Sequence, residues 1–214
     1  MKIKVDYKNK LPQNDDLIGD FDLLINGFNC ADKIYYGKEL SGKTKTLKEL
    51  CALTHEFKKP IISAFDTDNY GLKKKSAGVF EKGKLLGICD SSTLIGDSDY
   101  LPGTNAKLYD LSVCKLGVLV QDDLFSFTLF KSLAVCGAEI IVCLTDFDKK
   151  DIYTILTRAY SFLLGVPIVL TYTNGCIVSN VKGEQTTEVE SNVYEVLPTL
   201  EFVLKTTKTR LIKH

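Results

Sequence analysis

Gly117-Val-Leu-Val-Gln-Asp-Asp123 is the stretch that decides the fold of this 214-residue chain. Small and β-branched residues run straight into three polar ones, which is how a buried strand reads when it ends at the edge of a sheet. Leu124, Phe125, Phe127, Leu129 and Phe130 follow at helical spacing, which predicts a helix over Asp123–Cys136. Asp122 and Asp123 stand at its start, where an acid caps a helix and meets its dipole. Cys136-Gly-Ala-Glu-Ile-Ile141 then leads into a second apolar run, Ala138–Leu144. Strand, helix and strand in that order mark an α/β chain.

The same alternation extends outward. Upstream strands are predicted at Lys2–Tyr7, Asp22–Asn26, Pro60–Phe65, Lys75–Phe80, Lys84–Cys89 and Leu108–Val113. Downstream ones follow at Pro167–Tyr172, Cys176–Val181 and Val193–Leu197. Helical spacing returns at Thr46–Phe57, where Thr46 and Glu49 fit a capping box, and at Lys150–Gly165. Glu81-Lys-Gly83 and Asn174-Gly175 are hairpin turns. The set implies a mixed sheet or two stacked sheets. No repeat, linker or break in composition divides the chain, so a single domain over residues 1–214 is expected.

Composition narrows the function. Twenty-seven basic residues balance twenty-seven acidic ones, so no global field recruits nucleic acid or an anionic membrane, and neither partner is expected. Arg158 and Arg210 are the only arginines. No apolar run approaches the roughly 20 residues of a membrane helix, and Met1–Lys10 has no secretory pattern, so a cytoplasmic protein is expected. Seven cysteines without a CxxC pair and two histidines, His55 and His214, give no disulfide framework, metal site or cofactor site.

Gly37-Lys-Glu-Leu-Ser-Gly42-Lys43-Thr44 satisfies G-x-x-x-x-G-K-[ST] and precedes a helix, as a phosphate-cradling loop does. The preceding Asp32-Lys-Ile-Tyr-Tyr36 is too charged and too short for the central strand such a loop requires. A nucleotide binder at Gly37–Thr44 is therefore the remote alternative, and a solvated lysine-rich loop the plainer one.

From Gly117 to Glu139, and again from Arg158-Ala159 through Gly165-Val-Pro-Ile-Val-Leu to Asn174-Gly175, the chain resembles the nitrilase superfamily of carbon–nitrogen hydrolases. That family has a G-V-x-I-C-Y-D strand, a helix ending in G-A-D/E, and a later R-A-x-A-x-E-N helix. Leu101-Pro102-Gly103 and Gly83-Lys-Leu-Leu-Gly87 fit its pattern upstream. The resemblance implies a four-layer α-β-β-α sandwich, with the N-terminal layer reduced. Only Lys8–Asp20 separates the first two strands there, and Pro12, Asn14, Asp15 and Asp16 favour a loop.

The resemblance also implies a Glu base, a Lys and a Cys nucleophile, which amide or nitrile cleavage uses as a unit. The matching positions hold Phe28 (Gly27 if the register slips), Ser91 and Gln121. A second pocket Glu becomes Thr128, and the Glu-Asn pair becomes Leu163-Leu164. Asp123 and Arg158 persist, the first readable as a helix cap and the second as a structural cation. Two readings follow: a catalytically inactive homologue, or pseudoenzyme, acting as a binding or interaction module; or an active hydrolase with a relocated nucleophile, Cys89 or Cys114, helped by Asp90 or Asp123. Gly27, Cys89, Asp123, Thr128 and Arg158 are the pocket candidates. The expected partners are a second copy, pairing through the apolar helix Asp123–Cys136, and a small-molecule ligand.

Overall fold

The computed structural model describes residues 1–7, 10–96, 99–104, 106–148, 150–190 and 192–199; His214 and Arg210 lie outside them. Among the described residues the chain forms two β-sheets. The larger contains β1 (Lys2–Asp6), β2 (Leu23–Asn26), β3 (Ile34–Tyr35), β4 (Ile61–Asn69), β5 (Leu72–Glu81) and β6 (Lys84–Asp90). The smaller contains β7 (Lys107–Asp110), β8 (Lys115–Val120), β9 (Ile140–Leu144), β10 (Ile168–Tyr172) and β11 (Gly175–Ser179). The chain then returns to the first sheet with β12 (Glu188–Glu190) and β13 (Val193–Glu195), so the orders are β12-β13-β1-β2-β4-β5-β6, with β3 beside β4, and β11-β10-β9-β8-β7.

Alternation explains how the sheets stack. One face of each is apolar toward the other: Ile3, Val5, Leu23, Ile25, Ile62, Ala64, Ala77 and Val79 meet Leu116, Val118, Val120, Ile140 and Val142 in one buried cluster. The opposite faces are covered by helices. Leu24, Ile61, Phe65 and Phe80 pack under α3 (Thr46–Phe57) through Leu50. Leu119, Ile141, Ile168 and Leu170 pack with Phe130 and Leu133 of α4 (Phe127–Val135) and Tyr153 and Leu164 of α5 (Lys150–Leu164). This is the four-layer α-β-β-α sandwich. Its N-terminal layer is reduced as expected: among the described residues between β1 and β2 stands one four-residue helix, α1 (Asn14–Leu17).

Three expectations need correction. The helix foreseen over Asp123–Cys136 is two pieces, a 3-10 turn over Gln121–Phe125 and then α4, with the break at Ser126. The Thr46/Glu49 capping box does not form. Instead Glu39, on α2 (Tyr36–Leu40), accepts the Thr46 and Leu47 amides at 3.1 and 3.3 Å. That contact also removes the phosphate-loop reading of Gly37–Thr44, because a carboxylate of the chain itself occupies the helix N-terminus that a phosphate would need. The Gly42, Lys43 and Thr44 amides are likewise committed, to the carbonyls of Glu39 and Lys38.

Candidate functional site

The site lies where β8 ends. Val120 is extended, and the next residue, Gln121, turns into the left-handed region at φ 55° before the 3-10 turn begins. A non-glycine residue is strained there. The same stereochemistry lets a hydrolase present a nucleophile from a sharp strand-to-helix turn. Here the side chain presented is a carboxamide, 2% exposed, whose Oε1 accepts the Asp146 amide at 3.4 Å and whose Nε2 has no partner among the described residues.

Asp146 connects Gln121 to the charged centre of the site, Lys75. In the β4–β5 ladder Asp66 and Lys75 are cross-strand partners. Both share the inward parity of Ala64 and Ala77, so both side chains enter the space between the sheets. The Lys75 ammonium meets Asp66 Oδ1 at 2.8 Å, and Asp146 Oδ2, just past β9 of the other sheet, at 2.7 Å. It also sits 5.1 Å from the Phe28 ring centroid and 4.7 Å from that of Tyr100, whose hydroxyl donates to Asp66 at 2.6 Å. Burial pulls its pKa down, but Asp146 and Asp66 more than offset this and hold Lys75 above the ordinary lysine value. One cation and two carboxylates therefore tie the sheets together at the mouth of the sandwich.

The loop after β6 forms the other wall. The Ser91 amide donates to the Lys75 carbonyl at 2.8 Å, and the Ser91 hydroxyl donates to the Thr93 carbonyl. Asp123 Oδ1 accepts the Ser92 and Thr93 amides at 2.8 and 2.7 Å, Asp123 Oδ2 accepts that of Val120, and Asp122 accepts that of Ile95. Two adjacent carboxylates thus pin this loop to the turn. Burial raises Asp123 to about 6 in spite of its backbone hydrogen bonds.

Three of the sequence candidates border Lys75 separately: Phe28 by its ring, Ser91 by its amide on the Lys75 carbonyl, and Gln121 through Asp146. Gly27 precedes Phe28 and donates its amide to the Asp6 carbonyl. The other candidates do not join them. Thr128 is exposed on the first turn of α4. Arg158 is exposed on α5, its Nε donating to the Gly183 carbonyl at 2.8 Å. Cys89 is fully buried, donates to the Val118 carbonyl at 3.3 Å, and has its thiol pushed up to about 12 by burial. Cys114 is also pushed to about 12 by burial and precedes β8, so the length of that strand, about 20 Å, separates it from the elbow. Neither thiol is poised to ionise at neutral pH. Among the described residues, no His, Cys, Asp or Glu cluster could hold a metal ion.

Lys75, Asp66, Asp146 and Tyr100 were not foreseen. A search for a lysine near Ser91 looks after β6, whereas this ammonium comes from β5. Its signal in the sequence is parity: Lys75 stands two residues before Ala77 and four before Val79, on the apolar face of an alternating strand.

The layers and the elbow define a nitrilase-like sandwich. A cysteine-to-alanine mutant of the amidase from Nesterenkonia sp. AN1, of the nitrilase superfamily, has the same fold at a TM-score of 0.75 and 14% identity, covering 98% of this chain and 96% of that one. A carbon-nitrogen hydrolase from Helicobacter pylori is similar at a TM-score of 0.66 and 18% identity over 88% and 81% of the two chains. Another form of the Nesterenkonia amidase, at 0.72 and 15% over 98% of both chains, shows acrylamide added at its active-site cysteine. At the level of sequence, no family model and no curated protein matches the chain.

Proposed function

We propose that this chain is a carbon–nitrogen hydrolase homologue that does not hydrolyse amides and serves as a binding and interaction module. The observation that carries the reading is Gln121 in the strained elbow. A left-handed residue costs stability wherever it occurs, and here the strain is kept while the side chain offers no nucleophile. Lys75 does return a positive charge to the site, from a different strand. However, it is engaged by two carboxylates, which leaves the cluster net negative and ill suited to a developing anion.

The module acts as a homodimer. Phe162 (65% exposed), Ile155 (66%), Leu163 and Phe127 leave the outer faces of α5 and α4 apolar, more so than a solvated face requires. We place the protein in the cytosol: its seven free cysteines suit a reducing compartment, and among the described residues no helix is long and apolar enough to cross a membrane.

The test is a panel of small amides, nitriles and ureido compounds offered to the wild type and to Cys89→Ala and Cys114→Ala. No turnover above background is expected. Turnover abolished by either substitution identifies a relocated thiol, turnover surviving both identifies another group, and either result overturns the proposal.

A further inference from the structure

We propose that the open cavity at the tip of the β4–β5 hairpin binds single-stranded nucleic acid, with a base stacked on Tyr70 and phosphates on Lys38 and Lys43. The site is separate from the Gln121 elbow, and the inference is independent of the function proposed there. It gives the Gly37–Thr44 segment a role that does not require a phosphate-cradling loop.

The cavity measures about 320 Å³, at the lower end of the range for small-ligand sites, and Tyr35, Gly37, Lys38, Lys43, Asp68 and Tyr70 contribute to its lining. Tyr70 is the unusual member. It is the first residue of a two-residue turn with Gly71, both at positive φ (53° and 90°), where Asn, Asp or Gly is favoured. A tyrosine there is strained, and at 93% exposure it recovers nothing from core packing. Its hydroxyl stands 3.6 Å from the position a Cβ on Gly37 would take, which sets the ring beside α2. Tyr35 acts differently. Lys38 lies 4.1 Å and Lys33 5.3 Å from its ring centroid, so it positions cations and leaves Tyr70 as the free stacking face.

The charges sort in the same direction. Asp68 is taken up by Lys33 at 3.0 Å and by the Gly71 amide, and Glu39 by the start of α3. Among the described residues Lys38 and Lys43 have no carboxylate partner. Lys45, exposed two residues beyond Lys43, adds a third cation on that side, while Lys73, the cross-strand partner of Asp68, is paired with Asp99 at 4.0 Å. A backbone running on from the cavity past Lys43 would reach Lys45, and a free nucleotide would not. A net charge of zero removes the long-range field of the whole chain, but screening over about 8 Å leaves a local patch intact.

The experiment is fluorescence anisotropy of a labelled ten-residue oligo-dT with the full chain at 50 and 200 mM salt. Saturable micromolar binding is expected, falling with salt at a slope of about −1.4 for two phosphate contacts. Tyr70→Asn keeps a residue suited to the turn and removes the ring, and should weaken binding roughly tenfold or more. Lys38→Ala with Lys43→Ala should weaken it and flatten the salt slope. No saturation at 100 µM protein, or binding indifferent to these substitutions, overturns the proposal. AMP competing as well per mole as the oligonucleotide assigns the cavity to free nucleotides and also overturns it, as does equal affinity for a duplex of the same length.

Discussion

At the scale of single residues, Gln121, Lys75 and Asp123 hold the candidate site together. Gln121 holds the strained turn and Lys75 the charge, while Asp123 holds the neighbouring loop through two amides and its own turn through that of Val120. Asp123 is fully buried and raised to about 6, against an ordinary value of 3.8, so the folded chain keeps this proton over a range where the unfolded chain has lost it. Between about pH 4 and pH 6 the native state therefore binds more protons, and this group's contribution to stability falls as pH rises. Asp123→Asn cannot titrate. Relative to wild type, the variant should gain about 2–3 kcal/mol between pH 4 and pH 7, on top of a constant cost for the altered hydrogen bonds. Urea unfolding across that range measures it, and a constant gap would mean that Asp123 is not raised.

Among the elements, the fit of α4 on β8 depends on Gly117. A Cβ there would come within 2.9 Å of Leu133 Cδ1 on α4 and 3.3 Å of Ile141 Cγ1 on β9, so the helix rests directly on strand backbone. Gly117→Ala should cost about 1–3 kcal/mol by overpacking, seen as a lower urea midpoint. Combined with Leu133→Ala, which opens space at the same contact, the loss should be less than the sum of the two. Additive losses would show that Gly117 matters through its backbone alone. At the other outer layer, α3 begins on a carboxylate from α2 rather than on its own capping box, since Glu39 reaches the Thr46 and Leu47 amides first.

For the whole molecule, the proposed dimer covers the outer faces of α4 and α5. Static light scattering should report twice the chain mass across the micromolar range. Phe162→Glu together with Ile155→Glu should give a monomer with little change in unfolding temperature, because both side chains are already exposed in the single chain. A wild-type monomer over that range would refute the dimer. The Gln121 site needs no second copy for its assembly, since Lys75, Asp66, Asp146, Phe28 and Tyr100 all come from one chain.

The sequence alone determined most strands and helices, and its resemblance to a family implied how they layer. Runs such as Ile61–Phe65 and Val118–Val120 are apolar enough to bury themselves, and the helical spacing of Thr46–Phe57 marks that helix although its own capping box does not form. The chain's resemblance to the nitrilase superfamily pointed to Phe28, Ser91 and Gln121, each at a fixed step from a recognisable strand. Only the tertiary structure decided what they border. Lys75, Asp66 and Asp146 are as far as 80 residues apart in sequence, and nothing local to any of them shows that two sheets will close on one ammonium. The same holds for Glu39 at the start of α3: capping energies are short-ranged, and a carboxylate brought in from outside the helix can take amides that the helix's own sequence leaves open.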